Sequence, residues 1–191
     1  VSVDAAEADG RARLVDELDA YMPGTPHEQA MRAQLRAFVA SETACFERTC
    51  AAGHVTGSAW IVDRAGQFAL LTHHRKLGRW LQPGGHADGD SDVRAVALRE
   101  ALEESGLRSL APAAMDIFDL DVHAIPARGS EPAHLHYDVR FAFFGDPREA
   151  PVASAESHAV AWVPLADVER FGIDDSVRRL VAKTARLVET G

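Results

Sequence analysis

Apolar positions near the start of the chain recur at helical spacing. Leu14, Val15 and Leu18 form one stripe that breaks at Pro23-Gly24, and Met31, Leu35, Phe38 and Val39 form a second. Thr25 is placed to cap the second helix, Pro26 suits its first turn, and Glu28 completes a capping box. From Val55 the pattern shortens to strands, expected at 58–62 and 68–72 around the turn Asp63-Arg64-Ala65-Gly66. Residues 79–81 lead into Pro83-Gly84-Gly85, where glycine permits a sharp backbone path. Strands are predicted near 116–125, 134–144 and 160–163, with a turn-rich loop at 126–132. The amphipathic run Val177, Leu180, Val181, Leu187 and Val188 closes the chain as a helix. The reading is an α/β fold with a helical extension over 1–52, whose stripes cover either the core or a partner subunit, and one domain over 53–191.

Between residues 90 and 107 a helix is expected, capped by Asp90 or Ser91, with Asp92 in its first turn and Gly106 at its exit. At about 100° per residue, Glu100, Glu103 and Glu104 share a face with Val93, Val96 and Ala97, and Arg99 projects to one side. The three carboxylates repel one another and oppose the negative end of the helix dipole. A bound cation reverses the sign of every one of these terms.

The run from Gly85 to Leu107 resembles the Nudix box, G-x5-E-x7-R-E-U-x-E-E-x-G-U, where U is a bulky aliphatic residue. Gly85, Arg99-Glu100, Glu103-Glu104 and Gly106-Leu107 match in register, while Ser91 replaces the first Glu and Ala101 is small at a U position. The resemblance implies an α/β/α sandwich with a mixed sheet. It also implies Mg²⁺-dependent (or Mn²⁺-dependent) hydrolysis of a phosphoanhydride in a nucleoside diphosphate linked to another moiety. By the same resemblance Glu103 and Glu104 bind metal, Glu100 is either a metal ligand or the general base, and Arg99 orients the carboxylates by bidentate hydrogen bonding. The family supplies a further acid from a downstream loop, for which Glu156, six residues before Trp162, is the candidate. Asp88, Asp90 or Asp92 is expected to compensate for Ser91, and restoring a glutamate at that position to strengthen metal binding with the fold intact. A homodimer is compatible with the family.

Two other readings share these residues. One is a nucleotide-sensing module of the same family that binds without hydrolysis, favoured by Ser91 and opposed by the intact Glu100, Glu103 and Glu104. The other is a prenyl-diphosphate isomerase, whose Cys-Gly-His turn is Gly84-Gly85-His86 here and so lacks the cysteine.

Composition narrows the partner class. With 29 acidic residues against 20 Lys plus Arg, the formal charge of −9 opposes strong nucleic-acid binding, while a small phosphorylated substrate, nucleotide-derived as the resemblance implies, is easier to accommodate beside a metal ion. No apolar run reaches membrane-spanning length and no secretion signal opens the chain, so no membrane partner and a cytoplasmic location are expected. Cys45 and Cys50 lie near His54, but a fourth zinc ligand is not evident, so ordinary reduced thiols are expected.

Two further segments bear on the substrate. Arg75, Lys76 and Arg79 form a basic patch before the glycine turn, either contacting substrate phosphates or lying on an exposed hairpin, and Trp80 is assigned to the core. In the 134–141 segment, alternation sends His134, His136, Asp138 and Arg140 to one face and Leu135, Tyr137, Val139 and Phe141 to the other. Pairing with the strand that carries Asp119, Asp121 and His123 brings His123 near His134 or His136. That face is either a solvated surface or a site for substrate phosphate or a transition metal, and His86, His134 and His136 are counted among the substrate-binding candidates.

Overall fold

The structure is a computed structural model that describes residues 3–129 and 132–188, so Ser130 and Glu131 of the expected 126–132 loop lie outside the described residues. Helices α1 (Val3–Ala20) and α2 (Pro26–Ser41) precede the sheet. Thr25 Oγ1 accepts a hydrogen bond from the Glu28 amide at 3.1 Å, as a capping residue should. Glu28 departs from the expected box: its carboxylate accepts from the Gly24 amide at 2.8 Å, one residue before the cap, and from the Tyr21 hydroxyl at 3.1 Å.

The strands are β1 (His54–Val62), β2 (Phe68–His74), β3 (Arg79–Leu81), β4 (Gly84–His86), β5 (Ala111–Pro112), β6 (Asp119–Ile125), β7 (His134–Phe144) and β8 (Ser157–Pro164). Helix α3 (Val93–Ser105) follows β4, and a 3-10 turn (Leu165–Phe171) leads into α4 (Asp175–Val188). All strands form one mixed sheet. Its backbone order is β3-β2-β1-β7-β5, with β4 on β1, β6 on β7 and β8 on β2. β1 runs parallel to β7 from His54↔His136 to Val62↔Phe144, and the other pairings are antiparallel.

Both faces are covered, which explains why every residue of β1 is buried and why alternation marks that strand so weakly. On one face α1, α2 and α3 join the sheet in a single core containing Leu14, Leu35, Val39, Val96, Ile61 and Phe141, and Phe38 stacks on Tyr137 at 3.8 Å. Gly57 makes the approach of α3 possible, since a Cβ there would stand 2.7 Å from the Val93 carbonyl. On the other face α4 packs Val177 and Leu180 against Trp60 and Leu71, and Trp80 joins that core beside Phe171. Among the described residues no helix is long and apolar enough to cross a membrane.

The alternation expected in β6 and β7 holds, but the polar face is not a solvated surface. Asp119 is 0% exposed, and Asp138 and Arg140 are 2% exposed. Arg140 donates to Asp138 at 2.7 Å, Asp121 at 2.9 Å and Asp119 at 3.3 Å, while α4 adds Arg179 and Lys183, both on Asp119. Lys183 also reaches the Tyr21 hydroxyl at 2.7 Å and Glu28 at 3.1 Å. The buried charges are paired within this network, as low-dielectric burial requires.

Candidate active site

Helix α3 starts one residue later than expected. Asp92 is the cap, its side chain accepting from the Ala95 amide at 3.1 Å, and Gly106 ends the helix in the left-handed region at φ 65°. Asp90 holds the Asp92 amide at 2.9 Å. Asp88, itself at φ 51°, forms an ion pair with Arg48, with Arg48 Nη2 2.6 Å from its Oδ2. Each acid proposed to stand in for the missing Glu is therefore engaged locally.

Ser91 lies against α1, because a Cβ on Gly10 would overlap the Ser91 side chain, and Arg13 donates to the Ser91 carbonyl at 3.3 Å. The half-buried Ser91 side chain abuts the N-terminal helix, against which the longer glutamate side chain would press. The expectation that Ser91→Glu leaves the fold unchanged is thus at odds with the packing.

The three helix carboxylates are graded in depth. Glu104 is 7% exposed; the Glu100 side chain is 17% exposed and that of Glu103 61%. Arg99 does not make the expected bidentate pair. One guanidinium nitrogen lies 2.7 Å from Glu100 and 3.7 Å from Glu103, and the other donates to the His86 carbonyl at 3.3 Å, tying the helix to β4. Gly85 lies directly over Glu100, so that a Cβ there would overlap the carboxyl group. Burial pushes the Glu104 carboxyl up to about 7, reinforced by the charges of Glu100 and Glu156, while hydrogen bonds from the Gly84 backbone and the Thr72 side chain pull it the other way. Glu100 is also raised, by burial first, then by Glu103 and Glu156 against the pull of Arg99.

Glu156 is brought near this group by the loop before β8. Its carbonyl accepts from the Arg75 amide at 2.9 Å, and Arg75 also donates to the Ser157 carbonyl at 3.2 Å. Arg75 and Lys76 are exposed on this side, whereas Arg79 stands 3.9 Å from Asp174. Arg48, which no pattern in the sequence singles out, has its proton affinity raised first by its hydrogen bond to Asp88 and then, more weakly, by the charges of Glu100 and Glu156. Glu100 feels the charges of Glu103 and Glu156, and Glu104 those of Glu100 and Glu156, and carboxylate oxygens are the donors that hard divalent cations prefer.

His86 projects from β4 on the face opposite that overlying Glu100, since side chains alternate along a strand. There it meets His54, His134 and His136, with the His54 ring centroid 5.0, 4.9 and 4.8 Å from those of His86, His134 and His136, and His123 lies 5.5 Å from His136. His123 and His136 are register partners, as the pairing of the two strands predicted. Burial, reinforced by the neighbouring imidazoles, pushes His136 down to about 2 and keeps it neutral. Asp121 holds His123 at 3.4 Å and raises its proton affinity. His54 joins this group and not the cysteines; Cys45 and Cys50 are free thiols, and burial raises Cys45 to about 12.

No curated protein matches the chain in sequence. An Ap4A hydrolase of C. elegans, solved as a binary complex, is similar in structure with a TM-score of 0.51 at 20% identity, covering 72% of this chain and 98% of that one. A bifunctional NMN adenylyltransferase/ADP ribose pyrophosphatase of Francisella tularensis, complexed with AMP and a Mn ion, gives a TM-score of 0.52 at 15% identity. That match covers 84% of this chain but 48% of the larger one. These likenesses concern the fold. The NUDIX domain model matches residues 53–184, which take in the whole sheet, the glycine turn and the carboxylate helix, and the chain belongs to the NUDIX family.

Proposed function

We propose that the chain is a divalent-metal-dependent pyrophosphohydrolase acting on a nucleoside diphosphate linked to a further group. The observation that carries this reading is the buried Glu104 on the helix that also bears Glu100 and Glu103, its carboxyl pushed up to about 7 by burial first and then by the charges of Glu100 and Glu156. Carboxylates suit a hard cation, whose charge offsets both the burial and the repulsion that raise Glu104 and Glu100. Glu103, Glu104 and Glu156 would hold Mg²⁺ or Mn²⁺, with Glu100 as a further ligand or as base. The ion would supply charge neutralisation at phosphate and acidification of water.

The chain's own residues do the rest. Arg99 ties Glu100 to β4, so the Glu100 oxygens are positioned before substrate arrives. Glu100, beneath the bare Gly85 backbone, is placed to accept a proton from an attacking water. Arg75 and Lys76 offer positive charge to substrate phosphates beside Glu156.

The test is turnover of nucleoside triphosphates, nucleotide sugars, ADP-ribose and dinucleoside polyphosphates in Mg²⁺ and in Mn²⁺, with product identification. Glu103→Gln and Glu156→Gln should each lower the rate by about a hundredfold or more, with the melting temperature nearly unchanged. Tight nucleotide binding with no turnover in either metal would overturn hydrolysis in favour of a sensing role. Glu100→Gln that loses turnover and keeps metal affinity identifies a base; parallel losses identify a ligand.

A further inference from the structure

The histidine group lies outside the carboxylate site and none of the chemistry above uses it. Five of the nine histidines meet on one face of the sheet, contributed by β1, β4, β6 and β7. Sheet register alone brings them together. His54 is opposite His136, His136 is opposite His123, and His86 is paired with Thr56, two residues along β1 on the same side as His54. A face that only needed filling would carry apolar side chains here, as the reverse face does.

We propose that His54, His86 and His136 form a binding site for a first-row transition-metal ion of the Zn²⁺ type, distinct from the carboxylate site. One ring nitrogen from each lies within 4.8 Å of the other two. Metal–nitrogen bonds of about 2.0–2.1 Å require donors somewhat closer than that, at roughly 3.4 Å in a tetrahedral arrangement. Ring rotations in the half-buried His86 and His136 supply that contraction, while His54, 2% exposed, is the fixed member. Nε2 of His136 is buried and has no hydrogen-bond partner among the described residues, although buried polar atoms normally have one. A metal bond satisfies that atom.

The surroundings select the ion. Asp138, the nearest buried carboxylate in the row below, is already committed to the hydroxyls of Thr56 and Ser58 at 2.9 and 2.8 Å and to Arg140 at 2.7 Å. It is therefore not offered to a hard cation. An all-imidazole donor set disfavours Mg²⁺ and suits Zn²⁺, Co²⁺ or Ni²⁺. His134 stands beside the group, its Nδ1 2.9 Å from the Pro132 carbonyl and its ring centroid 4.9 and 5.2 Å from those of His54 and His136. Three protein ligands and one open position are the pattern of sites that bind a water or an exchangeable oxygen ligand. The same β4 strand that bears His86 carries the glycine above Glu100 and the carbonyl held by Arg99, so the two sites share a three-residue support.

The experiment is titration of the metal-stripped chain with Co²⁺ under excess Mg²⁺, followed by visible absorption. One equivalent of Co²⁺ should give the intense bands of low-coordinate, nitrogen-ligated cobalt, displaced by Zn²⁺ and unaffected by more Mg²⁺. The bands should persist in the Glu103→Gln/Glu104→Gln double variant and weaken by at least about a hundredfold in apparent affinity in His86→Gln and His136→Gln. Absence of a stoichiometric band in the wild-type chain, or a band abolished by the glutamate changes and retained by the histidine changes, would overturn the proposal. Since either histidine variant is open to misfolding, imidazole ¹H–¹⁵N spectra of the wild-type chain give a second reading. Zn²⁺ should shift the signals of these three rings together, and three unshifted rings would overturn the proposal just as directly.

Discussion

Replacing Glu104 with Gln should stabilise the metal-free protein while destroying its activity. The folded chain holds the Glu104 proton more tightly than the unfolded chain, with the carboxyl moved from 4.5 to about 7. Between those values the native state carries more bound proton than the unfolded state, so stability is greatest at low pH and declines as pH rises through the window. At about 1.4 kcal/mol per pH unit, the full displacement corresponds to about 3 kcal/mol. That figure is a ceiling, because the repulsion is shared with Glu100 and Glu156, whose charges also titrate. Gln keeps the shape and an oxygen acceptor for the Gly84 and Thr72 hydrogen bonds while removing the charge. In a chain of 191 residues, such a change is worth roughly 5–10 °C at most in melting temperature. Thermal unfolding in EDTA should show the two proteins melting together near pH 5 and the variant several degrees higher at pH 8. Saturating Mg²⁺ should raise the wild type more than the variant. Parallel pH profiles, or a variant less stable at pH 8, would refute the account of Glu104 as a buried carboxyl strained by its neighbours.

Gly85→Ala should lower turnover as severely as Glu100→Gln with a much smaller loss of stability, because the added methyl overlaps a side-chain carboxyl and not backbone; normal kinetics would show that Glu100 does not need that position. Ser91→Glu should loosen α1, seen as faster proteolysis within the first twenty residues, and should not lower the metal concentration for half-maximal activity. Lys183→Met should cost about 3–5 kcal/mol, measured by urea unfolding, since it leaves Asp119 and Glu28 buried beside one another with less positive charge; a loss below about 1 kcal/mol would mean that Arg179 and Arg140 suffice.

The parts legible in the sequence were those specified by neighbours along the chain. The carboxylate helix has fixed spacing and a glycine exit, and its match with the family from Gly85 to Leu107 survives two substitutions. The β6 and β7 alternation likewise holds, and with it the register that brings His123 to His136. What escaped was set by distant contacts. The first four residues of β1 read poorly as strand because both faces are covered, which erases the alternation that marks a half-exposed strand. The cap of α3 falls on Asp92 because Asp90 is used to hold the Asp92 amide, a choice among three adjacent polar residues that local preference cannot rank. Arg48 reaches Asp88 across 40 residues. His54 meets His136 only through parallel pairing, and of the two readings of the polar face the solvated one fails at Asp119, Asp138 and Arg140, where α4 lays Arg179 and Lys183 on Asp119.

The parallel ladder between β1 and β7 also sets an order of events during synthesis. Thr56 and Asp138 are 82 residues apart, so most of the domain must be translated before β1 acquires its central partner. Local hairpins such as β1–β2 can form early, but closing the long loop carries an entropic cost that is recovered only when β7 docks. Until then β1 presents an unpaired edge, and Gly85 has no finished sheet on which to hold its position over Glu100. Nascent chains arrested before residue 134 should therefore lack a binding-competent carboxylate group even though α3 is already complete, which makes the emergence of β7 the step that commits the chain to its folded, binding-competent form.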